Sequence, residues 1–83
     1  MKPIYKKLGS MIKSARRAHG HTQKELALHL GFGSSMFVST MESGRVTIPF
    51  NALGKIIKLY KLNRDAVVEE LLKIHKDKID HEM

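Results

Sequence analysis

Basic side chains are the most numerous residues of this chain that could bind a ligand. Of its 83 residues, 15 are Lys or Arg and eight are Asp or Glu, which gives a net charge of +7. Residues 1–62 contain eleven basic and two acidic side chains, whereas residues 63–83 contain four basic and six acidic ones. This distribution indicates a polyanion-binding surface on the first part and a separate role for the second. A basic face that is merely solvated is the alternative.

The other residue types that support chemistry lack the spacing that chemistry requires. The chain has five histidines and no cysteine. The histidines show no zincin pattern, so solvated imidazoles are favoured over metal ligands. No segment resembles a nucleophile elbow or a glycine-rich phosphate loop. We therefore expect no enzyme activity, no bound metal and no cofactor. The histidines are His19, His21, His29, His75 and His81.

Length and composition favour one small cytoplasmic domain. A chain of 83 residues is long enough for one domain and too short for two. The absence of cysteine suits a reducing compartment. No apolar run approaches the length of a membrane span, and the start Met1–Lys7 lacks the apolar core of a secretory signal. We expect no association with membranes.

Apolar residues at helical spacing predict an all-α fold of five helices around one core. The helices are predicted at about 4–18, 23–30, 35–43, 51–60 and 64–79. The predicted inward residues of the first four are Ile4, Leu8, Met11, Ile12, Ala15, Ala18, Leu26, Ala27, Leu30, Val38, Met41, Leu53, Ile56, Ile57 and Tyr60.

Polar residues and glycines predict where these helices begin and end. Thr22 and Glu25 have the spacing of a capping box. Ser34 or Ser35 is expected to cap the third helix, and Asn63 the fifth. Glycines end the first three helices. These are Gly20, Gly31 and Gly44.

Two helices of about eight residues, joined by a turn that contains glycine, are the outline of a helix-turn-helix. The residues Thr22-Gln23-x-x-Leu26-Ala27-x-x-Leu30-Gly31, followed by Val38-Ser39-x-x-Glu42-x-Gly44-Arg45 and Pro49, resemble the lambda-repressor-like (Xre/Cro/CI) helix-turn-helix family. The resemblance covers about residues 4–62. It implies a DNA-binding domain over 1–62, with the helix-turn-helix at about 22–43. Residues 63–83 lie beyond the matching motif and are predicted from their own pattern to form a C-terminal helix. The resemblance also implies a transcriptional regulator that acts as a homodimeric repressor on double-stranded DNA.

The resemblance assigns roles to individual residues of this sequence. The second helix would hold a phosphate at its start, and the third would enter the major groove with its first residues against the bases. Arg16 and Glu42 would form a partly buried ion pair between the first and third helices. The implied phosphate contacts are Thr22, Gln23, Ser43 and Arg45, and the implied base contacts are Ser34, Ser35, Met36, Ser39 and Thr40.

Two departures from the family pattern affect the expected readout. The segment from Gly31 to Glu42 is one residue longer than is usual, as in a subgroup with a longer turn before the recognition helix. No Arg, Lys, Asn or Gln lies between Ser34 and Ser43, so the bidentate pairings with guanine or adenine are unavailable from this helix. We expect readout through hydroxyl groups, phosphate contacts, DNA shape, Arg45, and contact of Met36 or Phe37 with thymine methyl groups. Core packing of Met36 and Phe37 is the alternative.

The fifth predicted helix has an apolar stripe wider than the ~100° that packing on one core requires. Val67, Leu71 and Ile74 fall on one line along it. We expect this line to pack on the domain and the adjacent residues to contact a second copy of the chain. A helix wrapped wholly around its own domain is the alternative. The adjacent residues, predicted to mediate dimerisation, are Val68, Leu72, His75 and Ile79.

Two other functions fit the same sequence. The chain length and the acidic C-terminal segment suit the antitoxin of a toxin–antitoxin pair, which would bind DNA and a toxin through different surfaces. The third helix, without Arg, Gln or Asn, also suits a module that retains the fold without binding DNA and instead binds a protein such as a co-regulator. The basic first part and the Thr22-Gln23 pair favour DNA instead.

Overall fold

The computed structural model of the chain describes residues 5–82, with side-chain surroundings for residues 5–74. Over this range the protein is all-α, with five helices and no strand, as the sequence predicts. The helices are α1 (Lys6–Ala18), α2 (Gln23–Leu30), α3 (Met36–Ser43), α4 (Phe50–Tyr60) and α5 (Arg64–Glu82).

Most helix boundaries lie within two residues of their predicted positions. α1 begins at Lys6 because Tyr5 lies in a turn, where its N–H donates to the carbonyl of Gly44 at 3.1 Å. α4 begins at Phe50, directly after Pro49, whose φ of −58° is already suitable for entry into a helix. α5 continues to Glu82, three residues beyond the predicted end.

Two of the three predicted N-terminal caps are confirmed. The Thr22 hydroxyl accepts a hydrogen bond from the Glu25 N–H at 3.1 Å, and the Glu25 carboxylate accepts one from the Thr22 N–H at 3.0 Å. The Asn63 side chain accepts from the N–H of Ala66 at 3.1 Å. The predicted serine cap of α3 is wrong. Ser35 has helical torsions, φ −77° and ψ −8°, and its side chain makes no capping hydrogen bond.

The core lies where α1, α2, α3 and α4 meet, and α5 adds Val67 to it. Leu8, Ile12 and Leu26 are completely buried there. Ala18 was predicted to face inward and is exposed, because α1 ends at this residue. Ile4 lies outside the described residues. The remaining buried members of the core are Ala27, Leu30, Val38, Met41, Ile48, Leu53, Ile56 and Tyr60.

α1 and α3 approach each other so closely that their backbones touch. A Cβ atom added at Gly9 would lie 2.5 Å from the carbonyl oxygen of Met41 and 2.7 Å from that of Glu42. Gly44, which ends α3 with a φ of +79°, lies against the backbone of Lys6 at the start of α1. Two glycines therefore set the distance between α1 and α3.

α5 packs along α1 through one side of its apolar stripe. Val67 and Ile74 are buried and Leu71 is half-buried, as predicted. The Lys7 ammonium lies 3.6 Å from the Glu70 carboxylate and adds a charge pair between the two helices. α1 thus contacts α3 on one side and α5 on another.

Candidate nucleic-acid interface

A buried ion pair joins α1 to α3. The Arg16 guanidinium donates from Nε to Glu42 Oε2 at 2.6 Å and from Nη2 to Glu42 Oε1 at 3.1 Å. Both residues are only 7% exposed. The hydrogen bond to Glu42 raises the pKa of Arg16 above its ordinary value. This is the bidentate geometry that holds two charges in an apolar interior, and it fixes the C-terminal end of α3 relative to α1.

The same carboxylate also holds α2. Gln23, the first residue of α2, donates from Nε2 to Glu42 Oε1 at 3.1 Å. Arg16 donates from Nη1 to the carbonyl of His21 at 2.7 Å, in the connection between α1 and α2. Three helices therefore share one hydrogen-bonded cluster, which we call the Arg16–Glu42–Gln23 network. All buried side-chain N and O atoms among the described residues have a partner.

This geometry changes the expectation for Gln23. The resemblance implies that its amide contacts a phosphate, whereas the structure directs one Nε2 hydrogen to Glu42. An amide nitrogen carries two hydrogens, so the second remains as a donor for another acceptor. Gln23 thus fixes α2 to α3 whatever else it contacts.

The first turn of α2 has two backbone donors that its cap does not use. The capping box occupies the N–H groups of Thr22 and Glu25. The N–H groups of Gln23 and Lys24 lie in the first turn, where no carbonyl of the helix can reach them. Hydrogen bonds from Thr22 also hold the pKa of the Glu25 carboxyl below its ordinary value, because they favour its charged form.

The exposed side of α3 carries the residues that the resemblance assigns to bases. Met36 is 75% exposed, and Ser39 is also exposed, whereas Thr40 is half-buried. Thr40 donates its hydroxyl hydrogen to the carbonyl of Met36 at 2.8 Å. Ser43 donates its hydroxyl hydrogen to the carbonyl of Thr40 at 2.6 Å.

The connection between α2 and α3 is stabilised by an aromatic pair. The rings of Phe32 and Phe37 meet edge to face, with centroids 4.7 Å apart, and both residues are half-buried. This pair accounts for Phe37 as a packing residue of the longer turn. Ser34 is exposed and Ser35 is half-buried beside it.

The segment after α3 places a cation at the surface. Arg45 follows Gly44 directly and is exposed. The Thr47 hydroxyl donates to the Tyr5 hydroxyl at 3.4 Å, and Ile48 is buried, so this segment is held to the start of α1 and to the core. Arg45 therefore stands on an anchored backbone.

The structure describes the side chains of two of the four predicted dimerisation residues. Val68 is 44% exposed and Leu72 is 64% exposed, on the side of α5 away from the buried Val67 and Ile74. The side chains of His75 and Ile79 lie outside the described residues. The exposed pair Val68 and Leu72 is consistent with a stripe wider than one core requires.

Sequence reasoning missed a ring cluster beside the network. His21 and His29 stack with centroids 5.3 Å apart, and His21 Nδ1 lies 3.1 Å from the Tyr60 hydroxyl. The His19 ring lies 4.8 Å from that of Tyr60. Burial raises the pKa of the Tyr60 phenol. His21 is therefore a packing residue as well as a surface one, and because it lies in the connection before α2, no helical spacing in the sequence links it to His29.

Sequence reasoning also missed the second partner of Glu42. Gln23 and Glu42 are 19 residues apart, and no local pattern links them. The signal that was available is compositional, because Glu42 is one of only two acids in residues 1–62. A scarce acid on a helix with an apolar inner face is a candidate for a buried pair with more than one donor.

Within the described residues, no group of three or more His, Asp or Glu side chains has the arrangement of a metal site. No helix in that part of the chain combines the length and the apolar character needed to cross a bilayer. No protein-family model, no curated protein and no solved structure matches this chain.

Proposed function

We propose that this protein binds double-stranded DNA through α3 and acts as a transcriptional regulator, in the form of a homodimeric repressor. The observation that carries the proposal is how α3 is held in the fold, with one side fixed to two helices and the other side exposed. Glu42 ties its buried side to α1 and α2, while Met36 and Ser39 on its other side are exposed. A short helix that is rigidly fixed and open on one face suits insertion into a major groove.

The charge around α3 supports a polyanion as the ligand. Glu25 and Glu42 are the only acids of residues 1–62, and both are engaged within the protein. Glu42 is buried against Arg16, and Glu25 caps α2. The exposed cations of this part of the chain are thus opposed by few acids, which favours attraction of phosphates.

Candidate donors for phosphate contacts lie at two places, one on each side of α3. The N–H groups of Gln23 and Lys24 stand at the start of α2, where the helix dipole also favours an anion. Arg45 stands after the end of α3. Contacts at both places would hold α3 in one register along the groove.

Dimerisation is supported by the exposed Val68 and Leu72 on α5. A second copy related by a two-fold axis would present the same pair, so the contact would be self-complementary. Two copies bound to two half-sites would also compensate for the weak hydrogen-bonding capacity of each α3.

The first experiment is a fluorescence-anisotropy titration against the DNA upstream of the protein's own gene and a scrambled duplex, at about 50 and 200 mM salt. Affinity for both duplexes should fall by orders of magnitude at the higher salt. Tighter binding of the upstream DNA at both salts would support an operator that the protein regulates itself. Absence of binding at 50 mM salt would contradict the proposal.

A variant at Arg45 tests the docking of α3 more directly. Arg45→Ala removes an exposed cation and should weaken binding to all duplexes alike, with a salt slope smaller by about one. Arg64→Ala is the matched control, because Arg64 is also exposed but begins α5. An identical loss in both variants would mean that net charge alone, and not this interface, drives binding.

A protein partner remains the second candidate, either a toxin or a co-regulator, and the exposure of Leu72 favours it. In that case Val68 and Leu72 would contact the partner, and the chain alone would be monomeric. Sedimentation at micromolar concentration distinguishes the two. A dimer supports the homodimeric repressor. A monomer that binds DNA with an affinity independent of Leu72 supports the antitoxin, and a monomer that binds no DNA supports the interaction module.

A further inference from the structure

The hydroxyl groups on and beside α3 differ in whether their hydrogen is free to donate to a base. The hydroxyl hydrogens of Thr40 and Ser43 are both committed to carbonyls of α3 itself, at 2.8 and 2.6 Å. A hydroxyl has one hydrogen and two lone pairs, so these two groups present only acceptors, and Ser43 has no hydrogen left for the phosphate contact that the resemblance implies. The two hydroxyls can meet the amino groups of adenine or cytosine, but not the acceptor edge of guanine.

The remaining hydroxyls discriminate poorly among bases. Ser34, Ser35 and Ser39 lie before or on α3, at exposed or half-buried positions. A freely rotating hydroxyl both donates and accepts, so it satisfies donor and acceptor edges alike. No Arg, Lys, Asn or Gln lies between Ser34 and Ser43 to supply a bidentate contact.

Met36 is the side chain on α3 with the largest exposed apolar surface. It occupies the first position of the helix and is 75% exposed, whereas Phe37 beside it is packed against Phe32. Side chains on a helix point toward its N-terminus, the end that meets base edges when a recognition helix docks. Its flexible thioether adapts to an apolar surface of irregular shape.

We propose that Met36 is the principal specificity-determining residue of α3 and that it recognises the C5-methyl group of thymine. This inference rests on the proposed DNA-binding function. The thymine methyl is the only apolar group that the four bases present in the major groove. A helix that exposes a methionine selects thymine through apolar burial, and its two hydroxyls with committed hydrogens cannot donate to the acceptor edge of guanine.

The test replaces thymine by uracil, which lacks the methyl group but keeps the hydrogen-bonding edges. Duplexes with a random core are enriched by binding to the protein at about 50 mM salt, and the enriched pool is then amplified with either dTTP or dUTP. The wild-type protein should bind the thymine pool about fourfold more tightly for each methyl group that it buries. Met36→Ala should bind the two pools equally, and Met36→Leu should retain the preference.

Leu28→Ala is the matched control, because Leu28 is also a large apolar residue, 68% exposed, but lies on α2. It should keep the wild-type preference for the thymine pool. Equal binding of both pools by the wild-type protein would overturn the inference while leaving the proposed function intact. A preference for the thymine pool that is undiminished in Met36→Ala would also overturn the inference. A protein that enriches no duplex would overturn the proposed function together with the inference.

Discussion

The contact between α1 and α3 and the contact between α1 and α5 are built differently. α1 and α3 touch through backbone at Gly9 and enclose the ion pair of Arg16 and Glu42. α5 lies on α1 through buried apolar side chains and one charge pair in which Lys7 is largely exposed. The first contact depends on a backbone distance and on the direction of hydrogen bonds, whereas the second depends mainly on apolar burial.

These two kinds of contact have different consequences: the α1–α3 contact fixes the orientation of a helix, and the α1–α5 contact leaves a surface for association. A buried charge must keep its partner, so the Arg16–Glu42–Gln23 network determines where α3 points. An apolar face has no directional requirement, and α5 still exposes Leu72 after it has packed on α1. Under the proposed function, the hydrogen-bonded contact would orient α3 toward DNA, and the apolar contact would leave part of α5 for a partner chain.

The largest expected effect comes from Arg16→Met. It leaves the Glu42 carboxylate buried without its main partner, and the free energy of unfolding should fall by about 3–5 kcal/mol. Urea denaturation followed by circular dichroism at one protein concentration measures the loss. Arg17→Met is the control, because Arg17 is the exposed neighbour on α1. Equal stability of the two variants would refute the role of the network.

The next-largest loss of stability is expected where the backbones of α1 and α3 touch. Gly9→Ala puts a methyl group within 2.5 Å of a carbonyl oxygen of α3, so α1 and α3 must separate, at a cost of about 1–3 kcal/mol. Gly54→Ala is the control, because a Cβ atom there meets nothing within 4 Å. The control should gain about 0.5–1 kcal/mol from helix propensity. Thermal melts should show a lower melting temperature for Gly9→Ala and a higher one for Gly54→Ala. A higher melting temperature for both variants would contradict the backbone contact.

A third pair of variants compares the two sides of α5. Val67 is 1% exposed, and Val67→Ala should cost about 2 kcal/mol because it removes buried methyl groups. Leu72→Ala removes an exposed side chain, so the stability of the monomer should change by less than about 0.5 kcal/mol. Sedimentation should show weaker self-association for Leu72→Ala. A variant at Leu72 that still dimerises fully would remove this face from the proposed interface.

The smallest effect depends on pH and concerns the cap of α2. The pKa of Glu25 is lower in the folded protein because the carboxylate accepts from the N–H and the hydroxyl of Thr22. Its contribution to stability is therefore present above its ordinary pKa of 4.5 and is lost as the pH falls through the lower, folded value. Glu25→Gln should be less stable than wild type at pH 7, and this difference should shrink below about pH 4.

The control for the cap is Glu69→Gln on α5, where the exposed carboxylate lies 4.0 Å from the Lys73 ammonium. It should change stability little at either pH, because an exposed pair on a helix contributes little. A pH-independent difference for Glu25→Gln would show that the carboxylate charge is not what stabilises the cap.

The local features of the fold could be read directly from the sequence. Thr22 with Glu25, Asn63 and the glycines at 31 and 44 act within a few residues, so their types predict helix ends. The serine cap of α3 failed because Ser35 was drawn into helical torsions, and a capping side chain needs an extended residue. The candidate site was predicted as a set of residues from a resemblance, which implied the Arg16–Glu42 pair but neither the Gln23–Glu42 nor the Arg16–His21 hydrogen bond.

The sequence by itself determined the five helices, the core side of each and the excess of positive charge, because periodicity, capping and composition are local properties. Only the tertiary structure decided that Gln23 binds Glu42, that Gly9 lets two backbones touch, and that Leu72 stays uncovered. These depend on which helices meet and at what distance, and that is settled by packing the whole chain into one dense core.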